Sequence, residues 1–403
     1  MKTLFLTGSF PNPYNRIAGI YVRDQALAVK RSGIDVDVLS IQDVSIRCFF
    51  KCKKPFALRC YTNEGIRIWQ QIFPATRYMR WLKRLMAFIL GLYIYHRYRK
   101  ENGAPDLIHV HIFDSGPLAR FLKNHHNIPY IVTEHSSAFA RGLLNSAELK
   151  SARKTYDESS YNLAVSESFQ QEMEGFFSSP FSYVPNVVDS HSFPLNDTQK
   201  KSCYTFLNVA ELDANKNHIL MIRSFGQVYK GNDQYQLVIA GMGPEYHSLK
   251  QLIEELGLDD QVSLYGEAQR HDVCQLMKEA DCFVLTSHYE TFGVVLIEAL
   301  SCGVPVISTC SGGPQSIIQS PSIGQLCDHE QDLTCAFRDM PLRDFDPQEI
   351  RNYAIAHFSG EAVARQLYPY YLSAVTAQKN RIPVPLALGL LSSLSIPGSQ
   401  PEN

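Results

Sequence analysis

Glu290, in the stretch Ser287-His288-Tyr289-Glu290-Thr291-Phe292-Gly293-Val294, and Glu298, seven residues intervening, mark the part of this chain richest in groups that could do chemistry. A carboxylate accepts hydrogen bonds at two oxygens, so it can hold both hydroxyls of a diol. Upstream, the short, branched and aromatic run Cys282-Phe283-Val284-Leu285 predicts a buried strand. Downstream, Val294 to Leu300 reads as a helix that Gly303-Val304-Pro305 ends before a further strand at Val306-Ile307-Ser308. Glu290 then stands just ahead of a helix N-terminus, and Glu298 about two turns further on. The amides of Thr291, Phe292, Gly293 and Val294 would be unpaired there, a natural seat for phosphate oxygens. The plainer alternative is an acid that merely suits a helix start, an effect of about 0.3–1 kcal/mol.

Four more groups fall where strands are expected to end. Gly8-Ser9-Phe10-Pro11-Asn12-Pro13 and Ala18-Gly19-Ile20 form a turn-rich loop, in which Gly19 would let the backbone approach a phosphate or simply serve the loop. His109-Val110-His111 alternates on a strand, so both imidazoles face one side, and either could be a satisfied core histidine. Thr133-Glu134-His135-Ser136-Ser137 closes the next strand in a polar cluster. Glu211-Leu212-Asp213-Ala214-Asn215-Lys216-Asn217-His218 supplies a cation, Lys216, whose bland reading is a solvated surface lysine.

The elements that must position these residues follow an α/β rhythm. Strands are expected at Thr3 to Thr7, Val36 to Ile41, Ile66 to Trp69, Leu107 to Ile112, Tyr130 to Thr133 and Leu163 to Val165, with helices at Val22 to Ser32 and Ser115 to Asn124. The rhythm restarts after the polar run Asn196 to Ser202, with strands at Tyr204 to Val209, Gln236 to Ala240, Val262 to Tyr265, Phe283 to Thr286 and Val306 to Thr309. This predicts two doubly wound, Rossmann-like domains with ligands at the carboxyl ends of the strands, facing one another across a cleft. The expected domains are residues 1–190 and 203–360, followed by a helix at 361–378 that packs back on the first domain and a tail at 379–403. A length of 403 residues suits two such cores.

Composition narrows the partners. Hydrophobic residues make up 45% and charged residues 19%, as in a soluble globular protein. The formal net charge of −2 hides an asymmetry, because residues 46–100 hold 13 Lys and Arg against one acid, Glu64. Within that region, Arg77 to Lys100 reads as a helix whose apolar centre is flanked by cations and aromatics, which suits an anionic membrane surface or a buried helix with a solvated end. No nucleic-acid motif accompanies the charge. The ten cysteines include no CxxC pair, and Cys48, Cys52 and Cys60 lack a neighbouring histidine, so reduced thiols in a cytosolic protein are expected rather than a zinc or redox site. The apolar start is too short for a signal peptide, and no apolar run reaches ~18 residues, so no membrane span is expected.

In this order the motifs resemble the family 4 glycosyltransferases of the two-Rossmann-domain, type B fold, over about residues 3 to 378. The Glu290–Glu298 pair followed by Gly303-Val304-Pro305-Val306-Ile307 is the most specific piece. Pro105 to His111, Thr133 to Ser136, Val165-Ser166-Glu167, Val184 to Asp189, Ala240 to Pro244 and Gly312-Gly313-Pro314 support it. The resemblance implies a retaining transferase that needs no metal or other cofactor and uses a nucleotide diphosphate sugar as co-substrate. It assigns Glu290 to the donor sugar hydroxyls and Glu298 to the ribose. The amides of Thr291, Phe292, Gly293 and Val294, the Gly19 loop and Lys216 would hold the diphosphate, and His111 would position or polarise the acceptor.

The sequence departs from the family at Glu211, where many members carry an arginine, at Gln315, where a glutamate is frequent, and at Val187, where glycine is usual. The expected activity is transfer of a sugar to a lipid-linked or polysaccharide acceptor, in exopolysaccharide, capsule or lipopolysaccharide synthesis. The expected location is cytoplasmic, peripheral at the inner face of the cell membrane. A nucleotide-sugar epimerase and a nucleotide-sugar-binding protein without turnover are the alternatives.

Overall fold

The computed structural model describes residues 1–45, 58–75, 80–195 and 203–380. The expectations for Cys48, Cys52, Arg77, the polar run 196–202 and the tail beyond Asn380 fall outside them. The chain divides into two units, the first comprising Met1–Ala164, Gln170–Val184 and the segment from Val363 onward, the second Val165–Phe169 and Pro185–Ala362.

The first unit is built on β1 (Lys2–Thr7), β2 (Asp35–Ser45), β3 (Arg59–Asn63), β4 (Ile66–Ala75), β5 (Leu107–His111), β6 (Tyr130–Glu134), β7 (Tyr161–Ala164) and β8 (Phe181–Tyr183). They form one sheet in the order β3-β4-β2-β1-β5-β6-β7-β8. Every neighbouring pair is parallel except β3 with β4, which run antiparallel as a hairpin at the edge. The central strands are buried on both faces, as crossover helices require. Helices α1 (Ile20–Arg31), α2 (Arg80–Asn102), α3 (Gly116–His126) and α4 (Ser146–Glu158) lie between strands, and α5 (Glu167–Phe176) follows β7. The fifth strand stops at His111, one residue short of its expected end, because Ile112 adopts φ 67°, ψ 136°, which no strand accommodates.

Helix α2 is anchored from below and bare above. Gly91, Ile94, Tyr95 and Tyr98 are buried, and the Tyr98 hydroxyl donates to the buried Asp37 carboxylate at 3.0 Å. Trp81, Leu85, Ile89 and Tyr93, spaced four apart on the outer side, are 67, 46, 55 and 55% exposed. The charge expected to dominate this segment is largely compensated near its start. Arg80 pairs with Glu148 at 2.9 Å, Lys83 with Asp43 at 2.7 Å and Arg84 with Asp114 at 3.3 Å. Acids from β2, the turn after β5 and α4 therefore correct the picture of an uncompensated basic helix.

The second unit carries β9 (Tyr204–Val209), β10 (Tyr235–Ala240), β11 (Val262–Gly266), β12 (Cys282–Leu285), β13 (Val306–Thr309) and β14 (Gly324–Cys327), all parallel, in the order β11-β10-β9-β12-β13-β14. Between them run α6 (His218–Tyr229), α7 (Tyr246–Leu256), α8 (Arg270–Glu279) and α9 (Val294–Ser301), with α10 (Glu330–Asp339) and α11 (Pro347–Phe358) after the last strand. Phe206, Phe225 and Phe337 join Leu237 and Ile239 in one of its apolar clusters.

The last helix, α12 (Gly360–Asn380), belongs from Val363 to the first unit. Leu367 and Tyr371 are buried and Tyr370 is half-buried, so one side of this helix is packed. Tyr371 reaches His109 on β5, hydroxyl to Nδ1, at 2.7 Å, and His109 Nε2 meets Thr133 Oγ1 at 2.7 Å. Both ring nitrogens are satisfied inside the protein, so His109 is a core histidine, and burial pushes its pKa down to about 3. Tyr371→Phe should leave Nδ1 unsatisfied and destabilise the first unit by about 1–3 kcal/mol, read as a lowered denaturation midpoint with unchanged slope.

Candidate functional site

In each sheet the strand order reverses once, between β1 and β5 in the first unit and between β9 and β12 in the second. At such a reversal the outgoing loops lead to opposite sides, and a crevice opens at the carboxyl ends of the two strands. In the second unit the loops flanking it carry Lys216 and Glu290.

Local structure fixes both residues. The turn Ala214–Lys216 starts at Asp213, whose carboxylate accepts from the Lys216 amide at 3.2 Å. Asn215 Nδ2 donates to the Tyr289 carbonyl at 3.0 Å, and the His288 amide returns a bond to the Asn215 carbonyl at 2.7 Å. Thr286 Oγ1 donates to the Lys216 carbonyl at 3.0 Å, so the loops after β9 and β12 are stapled together. Glu290 is held from the other side, its amide donating to the Ser311 carbonyl and its carbonyl accepting from the Gly313 amide, each at 2.8 Å. The Lys216 ammonium thereby comes 2.5 Å from Glu290 Oε1, and Ser287 Oγ donates to the same oxygen at 2.7 Å. This charge-assisted cluster is partly open, with side-chain exposures of 23% for Lys216 and 14% for Glu290.

Beside it, α9 begins at Gly293 in a left-handed conformation, φ 100°, ψ 60°, with no side chain capping it. The amide end of that helix is therefore left for an acceptor from outside the element. Phe292 is buried, while Thr291 and Val294 are half-buried. Glu298 is 8% exposed on the same helix, and its carboxylate lies 3.7 Å from Arg270 Nη1 at the start of α8. The Arg270 guanidinium also sits over the Phe193 ring, 5.2 Å from its centroid. A carboxylate this buried calls for a cation, yet nothing in the sequence marks Arg270 as that cation. Glu211 is exposed, and Leu212 beside it is buried in the core. His218 is a structural residue: its Nε2 meets Asn208 Oδ1 at 3.0 Å, and burial with the nearby Lys216 charge pushes its pKa down to about 4.

At the switch point of the first unit the structure brings together His111 and His135, and places Gly19 in the loop after β1. Gly19 has φ 58°, and a Cβ there would lie 2.2 Å from the Ser9 carbonyl oxygen. The chain's own backbone thus explains that glycine. His111 is buried at the end of β5, its Nδ1 3.1 Å from His135 Nε2, its ring stacked between neighbours at Phe5, His109 and His135. His111 Nε2 is buried without a hydrogen-bond partner among the described residues. Burial, reinforced by the two neighbouring histidines, holds its pKa well below the usual imidazole range, so the ring is neutral at ordinary pH. The next residue, Ile112, is β-branched and at positive φ, a strain of order 1–3 kcal/mol.

Glu134 lies under both loops. Its Oε2 accepts from the Phe113 amide at 3.0 Å and the Tyr156 hydroxyl at 2.7 Å, and its Oε1 from the His135 and Ser136 amides at 2.9 and 2.8 Å. Burial pushes this carboxyl up to about 7 against the opposing pull of those donors. Among the described residues no group of His, Cys, Asp and Glu could hold a metal ion, and the described cysteines are free thiols.

Two family models match the chain, one described as glycosyl transferases group 1 over residues 195–354, the other as glycosyltransferase family 4 over residues 18–192. A probable sucrose-phosphate synthase of Thermosipho melanesiensis is 29% identical over 375 residues, covering 82% of this chain and 83% of the relative. Sucrose-phosphate synthase from Thermosynechococcus elongatus superposes with a TM-score of 0.75 at 20% identity, over 94% of this chain and all of the other. HepE of Anabaena, solved with UDP and glucose, gives 0.68 at 17% identity over 91% and 98% of the two chains. These likenesses show the type B fold class, with two Rossmann-type parallel sheets. Arg270→Ala removes the cation 3.7 Å from the buried Glu298 carboxylate and should cost about 1–3 kcal/mol, whereas Glu211→Ala, on an exposed side chain, should change stability by less than about 0.5 kcal/mol, both read from the denaturation midpoint.

Proposed function

The chain belongs to the family 4 glycosyltransferases of the type B fold, and on that premise we propose that it is a retaining enzyme moving a sugar from a nucleotide diphosphate donor to a lipid-linked or polysaccharide acceptor. The observation that carries this reading is the Lys216–Glu290 contact beside the uncapped start of α9. In the proposed reaction the bond between the anomeric carbon and the diphosphate oxygen breaks, and the nucleoside diphosphate leaves with the electron pair. The acceptor oxygen bonds to that carbon and passes its proton to the departing diphosphate. Lys216 and the amides of Thr291, Phe292, Gly293 and Val294 stabilise charge on the leaving group, which is the main catalytic need of such a step. Glu290 binds the donor sugar hydroxyls, Glu298 the ribose, and His111 positions the acceptor hydroxyl. Gly19, left-handed at φ 58°, shapes the first loop. No metal or other cofactor enters the scheme, because ammonium and amide donors meet the charge.

The acceptor class rests on α2. Four turns of its outer side present Trp81, Leu85, Ile89 and Tyr93 to solvent, and Arg97, Arg99 and Lys100 follow. An apolar strip with aromatic ends and cations beyond it suits an anionic membrane surface, and we place the enzyme there, at the inner face. With Arg80, Lys83 and Arg84 paired to acids, apolar insertion outweighs charge in this docking. Among the described residues no helix is long and apolar enough to cross a membrane. The likeness to sucrose-phosphate synthases favours a second reading, a small sugar phosphate as acceptor.

Incubation with a panel of nucleotide sugars should reveal slow hydrolysis of at least one donor, and faster consumption when membrane lipid extract is added. Acceleration by sugar phosphates alone would move the acceptor to the second reading. Donor binding without turnover would leave a binding protein, and a changed sugar without transfer an epimerase. Glu290→Ala and Lys216→Ala should each lower turnover by about 10²–10³ with the fold intact. Trp81→Ser with Ile89→Ser should weaken co-sedimentation with phosphatidylglycerol-containing vesicles by about tenfold or more; undiminished binding would remove α2 as the docking surface.

A further inference from the structure

The polar cluster after β6 has no role in the transfer as described, although it is among the most completely bonded parts of the first unit. Glu134 is wholly buried, and its two oxygens are already occupied by four hydrogen bonds from three different segments. One oxygen holds the Phe113 amide, directly after the residue at φ 67°, and the other holds the amide of His135, whose ring meets His111 at 3.1 Å. Tyr156 on α4 fixes the carboxylate from behind. Ile112 itself gives its amide to the Thr133 carbonyl at 3.0 Å, so β5 and β6 stay paired up to the strained residue. Without a clamp, a β-branched residue there would relax toward an ordinary conformation, and the end of β5 would turn with it.

We propose that Glu134 is a positioning residue that locks the Ile112 turn and the His135 loop together, and thereby sets the direction in which the unpartnered Nε2 of His111 is presented. The inference rests on the reading of His111 given above, as the group that orients the acceptor hydroxyl. An imidazole sealed in by Phe5, His109 and His135 cannot reorient by rotating freely. Its aim depends on the backbone just beyond it. Glu134 therefore supplies geometry rather than a proton.

The test uses Glu134→Gln, Tyr156→Phe and Ile112→Gly in the full chain. A glutamine keeps the shape but can accept at only one oxygen, so one of the two loops loses its anchor. Glu134→Gln should lower kcat by about tenfold to a hundredfold with the donor KM unchanged, and should shift the ring C–H resonances of both His111 and His135. Tyr156→Phe, which removes one donor of four, should lower kcat by several-fold and keep the fold if the glutamine variant does not. Glycine at 112 accepts φ 67° without strain, so Ile112→Gly in the Glu134→Gln background should restore a substantial part of the lost kcat. Wild-type kcat with unmoved imidazole resonances in Glu134→Gln would overturn the proposal. So would a loss of kcat and melting temperature together that Ile112→Gly does not relieve. His111→Asn separates the two claims: wild-type turnover in that variant would refute the role given to His111, while the resonance shifts would still decide whether Glu134 positions the ring.

Discussion

Parallel strands cannot be joined by tight turns, and this constraint shapes everything else in the molecule. Each connection must cross over a face of the sheet, so all strands of a set end on the same edge and all their loops gather there. Where the order reverses, neighbouring loops part. In the second unit the residues that end up on either side of that parting are Lys216, after β9, and Glu290, after β12. The sequence separates them by 74 residues, and the topology brings them within a hydrogen bond. The first unit repeats the arrangement with the Gly19 loop after β1 and His111 at the end of β5.

The site in the second unit is organised as acids already matched with cations. Lys216 is neutralised by Glu290, and Glu298 by Arg270. Such pairing keeps each charge in place at low cost, because an isolated buried charge would destabilise the unit more than the pair does. It also sets the terms on which an anionic ligand binds. A diphosphate approaching Lys216 competes with the Glu290 carboxylate and frees that carboxylate for neutral hydroxyls. Glu211 is exposed to solvent, where salt screens its charge beyond about 10 Å.

Much of this architecture was legible in the residue pattern. Short branched runs separated by amphipathic stretches marked nearly every central strand, and the Gly303-Val304-Pro305 stop placed α9 correctly. What escaped were features decided by long-range contact or by local backbone. The β3–β4 hairpin was missed because β3 is exposed on both faces and lacks alternation, although Glu64 and Gly65, both at positive φ, form its two-residue turn. Ile112 looked like the last residue of a strand, since nothing in an isoleucine announces positive φ. Arg270, His135 and Tyr371 are partners of residues 28, 24 and 262 positions away, and no periodicity connects them. The compensation of α2 was hidden for the same reason, as its acids come from β2, the turn after β5 and α4.

The central claim is that the Lys216–Glu290 cluster is a diphosphate seat. Calorimetric titration of the protein with UDP, GDP and ADP, each beside its parent nucleoside, addresses it most directly. At least one diphosphate should bind tenfold or more tightly than its nucleoside, a difference of about 1.4 kcal/mol, and this advantage should disappear in Lys216→Ala. Equal affinity for nucleoside and diphosphate, or a diphosphate preference that survives the loss of Lys216, would contradict it.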